Sequence, residues 1–183
     1  RDNAEQVTVF DSVGFALEDF SALRFMMDSA LRLGMGERIA LIPQLASRTR
    51  VLILQHPEEA RHALNTARLA ALGLLNSELR CAEQFADLPE LLGDQRWHSC
   101  LLFPGEQALP VAEFARQNAD RPLQLVVPDG TWRKARKLLY CNPLLAQLPR
   151  VTLANPAESR YRLRKAPMPQ ALSTIEAITQ ALD

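Results

Sequence analysis

Leu123-Gln124-Leu125-Val126-Val127-Pro128-Asp129-Gly130-Thr131-Trp132-Arg133-Lys134-Ala135-Arg136-Lys137-Leu138 is the stretch whose reading decides the fold. Its first five residues form a short apolar run rich in β-formers, which predicts a buried strand. Trp132, Ala135, Leu138 and Leu139 then fall at i, i+3, i+6 and i+7, one face of a helix. Between them lies a Pro-Asp-Gly turn, with Thr131 placed to cap the helix. Such a strand, turn and helix N-terminus aim backbone N–H groups into a crevice. Asp129 adds a carboxylate at its rim. A well-made turn with Trp132 in the core is the plain alternative, and the local pattern leaves both open.

Working outward, the same alternation recurs on either side. Arg50-Val51-Leu52-Ile53-Leu54 predicts a buried strand ending in Gln55-His56-Pro57, followed by a helix from Glu58 to Leu75. A short strand is expected at Leu79–Ala82 and a third apolar strand at Ser99–Phe103, closed by Pro104-Gly105-Glu106. Val111–Gln117 predicts a short helix, Val151–Leu153 a last strand, and Ser173 or Thr174 the start of a terminal helix. Strands alternating with helices predict an α/β fold, a mostly parallel sheet with helices on both faces. Ligands in such sheets bind beyond the carboxyl ends of the strands, where three of these turns fall.

Residues 1–45 read differently. Val7–Phe10 predicts a strand and Leu17–Leu33 a helix ended by Gly34-Met35-Gly36. That G-x-G has Ile39 where a dinucleotide fingerprint needs a third glycine, and it follows a helix, so no Rossmann unit is expected.

The 183 residues suffice for one domain with an appendage, and 48% hydrophobic with 23% charged content is that of a globular protein. No apolar run approaches the roughly 20 residues of a membrane helix, and no signal peptide opens the chain, so a cytoplasmic location is expected. The first residue is Arg1, not Met, so the natural start is expected to be missing. Cys81, Cys100 and Cys141 are far apart, and no metal site is legible. The net charge is zero but uneven: from Arg121 to Lys165 ten Lys or Arg meet two acids, a local +8. A basic block around the best motif suggests a polyanionic partner; a solvated helix face is the bland alternative.

The motif Asp129-Gly130-Thr131-Trp132 before a basic helix resembles the signature of the DTW-domain family. The resemblance extends over about residues 46–183. It takes in Leu54-Gln55-His56-Pro57, Asn65-Thr66, Leu102-Phe103-Pro104-Gly105-Glu106, Ser159–Lys165 and Leu172-Ser173-Thr174-Ile175-Glu176. That family comprises tRNA-uridine aminocarboxypropyltransferases, which use S-adenosylmethionine and resemble the SPOUT RNA methyltransferases. The resemblance implies a SPOUT-like, knotted sheet. It also implies transfer of a 3-amino-3-carboxypropyl group to N3 of a tRNA uridine. Cofactor contacts are implied at Phe103, Gly105, Glu106, Pro128, Gly130, Thr131, Leu172, Ser173 and Thr174. Phosphate contacts are expected from Arg133, Lys134, Arg160, Arg162, Arg164 and Lys165.

Two residues are placed at the chemistry. N3 must lose a proton, and Asp129 is either its acceptor or the group that steadies the sulfonium. Trp132 either stacks on a base or packs. His56 is a ligand contact or a satisfied loop histidine, while Ser173 with Glu176 also spells a capping box. Val9–Asp19 resembles the C-terminal portion of ornithine cyclodeaminases, without their nucleotide-binding core, so residues 1–45 read as an appended segment. DTW proteins usually carry a cysteine-rich segment there and continue beyond the point where Asp183 ends this chain, so a C-terminal truncation is also expected. A SPOUT-type methyltransferase and a non-catalytic RNA-binding remnant are the rival readings. The oligomeric state is not legible.

Overall fold

The computed structural model describes residues 25–26, 28–29, 32–34, 45–62, 65–154, 156, 159 and 172–183. Two compact units are distinguished, Arg1–Leu41 and Ile42–Asp183. In the first, Phe25, Met26, Asp28, Ser29 and Arg32 are helical, within the predicted Leu17–Leu33 helix. The Leu33 N–H reaches the Ser29 carbonyl at 3.0 Å, and Gly34 follows at φ 62°, a left-handed turn that glycine adopts without steric cost. The expected strand at Val7–Phe10 lies outside the described residues.

The second unit is built on six parallel strands: β1 (Arg50–Gln55), β2 (Ser77–Cys81), β3 (His98–Leu102), β4 (Leu109–Pro110), β5 (Leu123–Asp129) and β6 (Arg150–Thr152). Their order is β2-β1-β5-β3-β6-β4, and every pairing is parallel. Connecting them are α1 (Pro57–Ala60), α2 (Thr66–Gly73), α3 (Leu88–Gly93), α4 (Val111–Gln117), α5 (Trp132–Cys141) and α6 (Pro143–Ala146), and α7 (Thr174–Leu182) follows the last strand.

Alternation along the strands sorts the core into two layers. Val51, Ile53, Leu125 and Val127 face α2, α4 and α7 through Ala67, Ala70, Phe114 and Ile178. Leu52, Leu54 and Val126 face the other way, against Leu88 of α3, Leu138 and Leu139 of α5 and Leu145 of α6. Burial on both faces explains why these strands read as continuous apolar runs.

The predicted helix from Glu58 to Leu75 is in fact two. It stops after Ala60 and restarts at Thr66, because Asn65 caps the second piece: its Oδ1 accepts the Arg68 N–H at 3.2 Å. Its Nδ2 donates to the Glu59 carbonyl at 3.1 Å, tying off the first piece. An Asn side chain competing for backbone groups ends a helix that apolar spacing alone would continue. The short elements β4, α3 and α6 carry too little pattern to be read in advance.

One detail of register opens the sheet. β5 stays paired with β1 as far as Asp129, opposite Gln55, whereas its ladder with β3 ends at Val126 opposite Leu101. Pro128, which has no N–H to donate, therefore lies past the last β3 pair.

Candidate functional site

The diverging ends of β5, β3 and β6 leave a cavity of about 300 Å³. Val127, Pro128 and Gly130 form one wall, Leu102, Phe103 and Pro104 a second, and Val151, Thr152, Leu153 and Pro156 a third. Trp132 and Ala135 of α5 and Leu172, Thr174 and Ala177 around the start of α7 close it. It lies beyond strand carboxyl ends, where a parallel sheet offers a crevice. Most of the lining is apolar, as a site for a purine or a thioether would be.

Asp129 ends β5, only 7% exposed, beside this cavity. Its Oδ2 accepts a hydrogen bond from Gln55 Nε2 at 2.8 Å, and its Oδ1 accepts one from the Thr174 hydroxyl. A buried carboxylate needs such donors, and with one on each oxygen it retains a free lone pair on each. Gln55 is itself 2% exposed, at the end of β1. Sequence reasoning gave it no role, although it stands in the Leu54-Gln55-His56-Pro57 block and is an amide closing an apolar strand.

Thr174 opens α7 and Ser173 caps it: Ser173 Oγ accepts the Glu176 N–H at 3.4 Å, while Glu176 Oε2 accepts the Ser173 N–H at 2.9 Å. The expected capping box is therefore present. Because Ser173 does the capping, the Thr174 hydroxyl is free to serve Asp129.

At the other end of the motif, Thr131 caps α5, its Oγ1 accepting the Lys134 N–H at 3.4 Å. Gly130 has φ 155°, and a Cβ there would come within 3.0 Å of the Lys134 Cβ. A side chain there would need Lys134 to give by a few tenths of an ångström, and the backbone conformation is one that L-residues rarely adopt.

Trp132 shares the register of the buried Ala135 and Leu138, yet it is 42% exposed. Its indole meets the Phe103 ring edge-on, with centroids 5.6 Å apart, so it lines the cavity and stays out of the core. Arg150 also approaches Phe103, its guanidinium 5.8 Å from the ring centroid and 3.3 Å from the Pro104 carbonyl. A Cβ on Gly105 would touch the Arg150 side chain at 2.9 Å. Arg150 therefore shapes the Phe103–Gly105 turn, and no sequence pattern marked it.

Of the residues expected at the cofactor, Phe103, Pro128, Gly130, Leu172 and Thr174 line the cavity together with Trp132. Gly105, Glu106, Thr131 and Ser173 are not among its lining residues. His56 is buried as a bracket: its backbone N–H donates to the Asp129 carbonyl at 3.0 Å, and Nδ1 accepts the Glu58 N–H at 3.3 Å. Nε2 comes within 3.2 Å of Glu83 Oε1, a close approach without hydrogen-bond alignment.

The basic residues divide. Lys134 is taken up by Glu59 at 2.7 Å and Glu58 at 3.1 Å, and hydrogen bonds to these acids hold its pKa above the usual lysine value. Phosphate would have to compete for it. Arg133 is exposed. Arg160, Arg162, Arg164 and Lys165 lie outside the described residues. Among the described residues no group of His, Cys, Asp or Glu comes together as a metal site, and no helix is long and apolar enough to cross a membrane.

A family model for the DTW domain matches residues 38–183. The tRNA-uridine aminocarboxypropyltransferase 2 of Drosophila melanogaster is 31% identical over 150 residues, covering 76% of this chain and 57% of that protein. The tRNA-uridine aminocarboxypropyltransferase A of Arabidopsis thaliana is 28% identical over 170 residues, 78% of this chain and 63% of its own length. The chain thus spans somewhat over half the length of these curated relatives. A second family model, ornithine cyclodeaminase/mu-crystallin, matches residues 1–33. The ornithine cyclodeaminase of Brucella suis is 52% identical over 42 residues, 23% of this chain but 12% of that enzyme. No solved structure matches.

Proposed function

The chain belongs to the DTW-domain family, and from that premise we propose that it transfers the 3-amino-3-carboxypropyl group of S-adenosylmethionine to N3 of a tRNA uridine. One observation carries the reading: a buried carboxylate, Asp129, held by Gln55 and by cavity-lining Thr174 beside an apolar cavity with two aromatic rings. The named relatives support the reaction class.

The residues present fit an adenosyl group. Phe103 and Trp132 offer faces and edges to a purine, and Leu172 and Ala177 complete an apolar sleeve. When bound, S-adenosylmethionine supplies a sulfonium whose attached carbons are electrophilic. The chain orients that group, excludes water with its apolar walls and moves a proton. Asp129 is the proton acceptor for N3–H, through the lone pairs that Gln55 and Thr174 leave free. Holding the sulfonium is the second role open to the same carboxylate.

The finer features belong to the same proposal: a SPOUT-like, knotted chain path, a catalytic domain over residues 46–183, an appended segment over 1–45 and a cytoplasmic location. Arg160, Arg162, Arg164 and Lys165 serve in it as phosphate contacts that position tRNA.

Incubation with tRNA and S-adenosylmethionine, then mass spectrometry of the nucleosides, tests it. Uridine gaining the aminocarboxypropyl mass is the expected product. A methylated base would assign the SPOUT-type methyltransferase instead, since the two differ only in which sulfonium carbon faces the nucleophile. Calorimetry showing no S-adenosylmethionine binding to the folded chain would remove both.

A further inference from the structure

α5 presents Arg133, Arg136, Lys137 and Tyr140 to solvent, at i, i+3, i+4 and i+7, one side of the helix. This stripe starts beside Trp132 at the cavity and runs outward for about 10 Å at the rise of an α-helix. Nearby acids do not treat its cations alike. Lys137 is bound by Glu83 at 2.7 Å, and Lys134, on the flank, by Glu59 and Glu58. Arg133 and Arg136 make no hydrogen bond or ion pair among the described residues. At the far end Tyr140 is 87% exposed, the most exposed large apolar or aromatic side chain of the described residues.

From this we propose that the outer face of α5 is an RNA-docking stripe. Arg133 and Arg136 take successive backbone phosphates, and Tyr140 stacks on an unpaired base. The argument is one of complementarity. Acids have neutralised the lysines and left two guanidiniums, the donors whose planar fork matches a phosphate. An exposed aromatic in line with them is a platform for a base, the mode by which proteins hold single-stranded RNA. The stripe ends at Trp132, so an RNA lying on it is led to the cavity mouth. The inference rests on the tRNA-transferase reading and adds to it the surface along which the substrate approaches.

Full-length chain carrying Arg133→Ala with Arg136→Ala, and a second variant with Tyr140→Ala, are compared with the unaltered chain for binding unfractionated tRNA across a salt series. Calorimetry with S-adenosylmethionine serves as the check that each variant keeps its cavity. The double arginine variant is expected to lower the slope of log K against log salt by about 1.5, since each neutralised phosphate contributes roughly 0.7–0.9. Tyr140→Ala is expected to weaken binding by about 5- to 100-fold at an unchanged slope, with Tyr140→Phe restoring it. If the unaltered chain binds tRNA and the arginine variant keeps both slope and affinity, the stripe is overturned while the transferase reading stands. If the unaltered chain binds S-adenosylmethionine but no tRNA, the tRNA reading fails, and the stripe falls with it.

Discussion

The Thr174 hydroxyl donates a hydrogen bond to Asp129 Oδ1 across 45 residues of sequence, joining the first turn of the terminal helix to the end of the central strand. Gln55 holds the other oxygen, so three separate segments meet at one carboxylate. That arrangement makes the site a device of the tertiary fold, and it yields direct tests.

Thr174→Val preserves the shape of the side chain and removes the donor. Ser173 remains to cap α7, so the helix start should survive. Leaving one oxygen of a buried carboxylate without its donor costs on the order of 1–3 kcal/mol. Urea denaturation should show this as a lower midpoint, with Thr174→Ser close to the unaltered chain. A midpoint equal to that of the unaltered protein would mean that the hydroxyl adds nothing to stability.

Asp129→Asn separates three roles. As proton acceptor, Asp129 is worth about 10²–10⁴-fold in product formation, with affinity for S-adenosylmethionine little changed. As partner of the sulfonium, its loss should lower that affinity relative to S-adenosylhomocysteine, the neutral analogue. As a turn residue alone it should be replaceable by Asn at no cost to either measurement. We expect the first pattern. Full turnover at unchanged affinity would move the chemistry elsewhere.

Asn142 predicts a stability effect remote from the cavity. It is 5% exposed, and its Oδ1 accepts the Phe85 N–H at 2.9 Å. Its Nδ2 donates to the carbonyls of Glu83 and Leu138, each at 2.8 Å. Asn142→Ala orphans the Phe85 N–H and the Glu83 carbonyl, at about 1–3 kcal/mol for each that water cannot reach, while the Leu138 carbonyl keeps the backbone N–H of residue 142. Hydrogen exchange at the Phe85 amide should accelerate by orders of magnitude. Protection like that of the unaltered chain would show that another partner replaces the amide.

The cysteines offer a test of burial. Cys100 lies in the sheet core, and burial pushes its thiol up to about 12, because a thiolate there would be stripped of water. Only a thiolate is alkylated readily, so at pH 8 Cys100 should resist iodoacetamide until the protein unfolds. Cys81, exposed at the end of β2, should react in the native state. Native labelling of Cys100 at a rate like that of Cys81 would contradict the core as described.

The sequence by itself determined what depends on neighbours in the chain. The apolar run Leu123–Val127, the Thr131 cap, the helix at Val111–Gln117 and the Ser173–Glu176 box are local patterns, and each is present. The motif around Asp129 was legible for the same reason, and it lies within the matched DTW region, residues 38–183.

Tertiary structure alone decided the rest. The break at Asn65 depends on its amide reaching Glu59, and the exposure of Trp132 depends on Phe103 standing opposite it. The pairing of Lys134 with Glu59 joins residues 75 apart, and the bond from Gln55 to Asp129 joins residues 74 apart. Periodicity reports which side of an element is apolar, but it carries no information on which distant element will face it. Partners for a buried charge are therefore settled only when the strands align in register, and that alignment brings Gln55, Asp129 and Thr174 to one point.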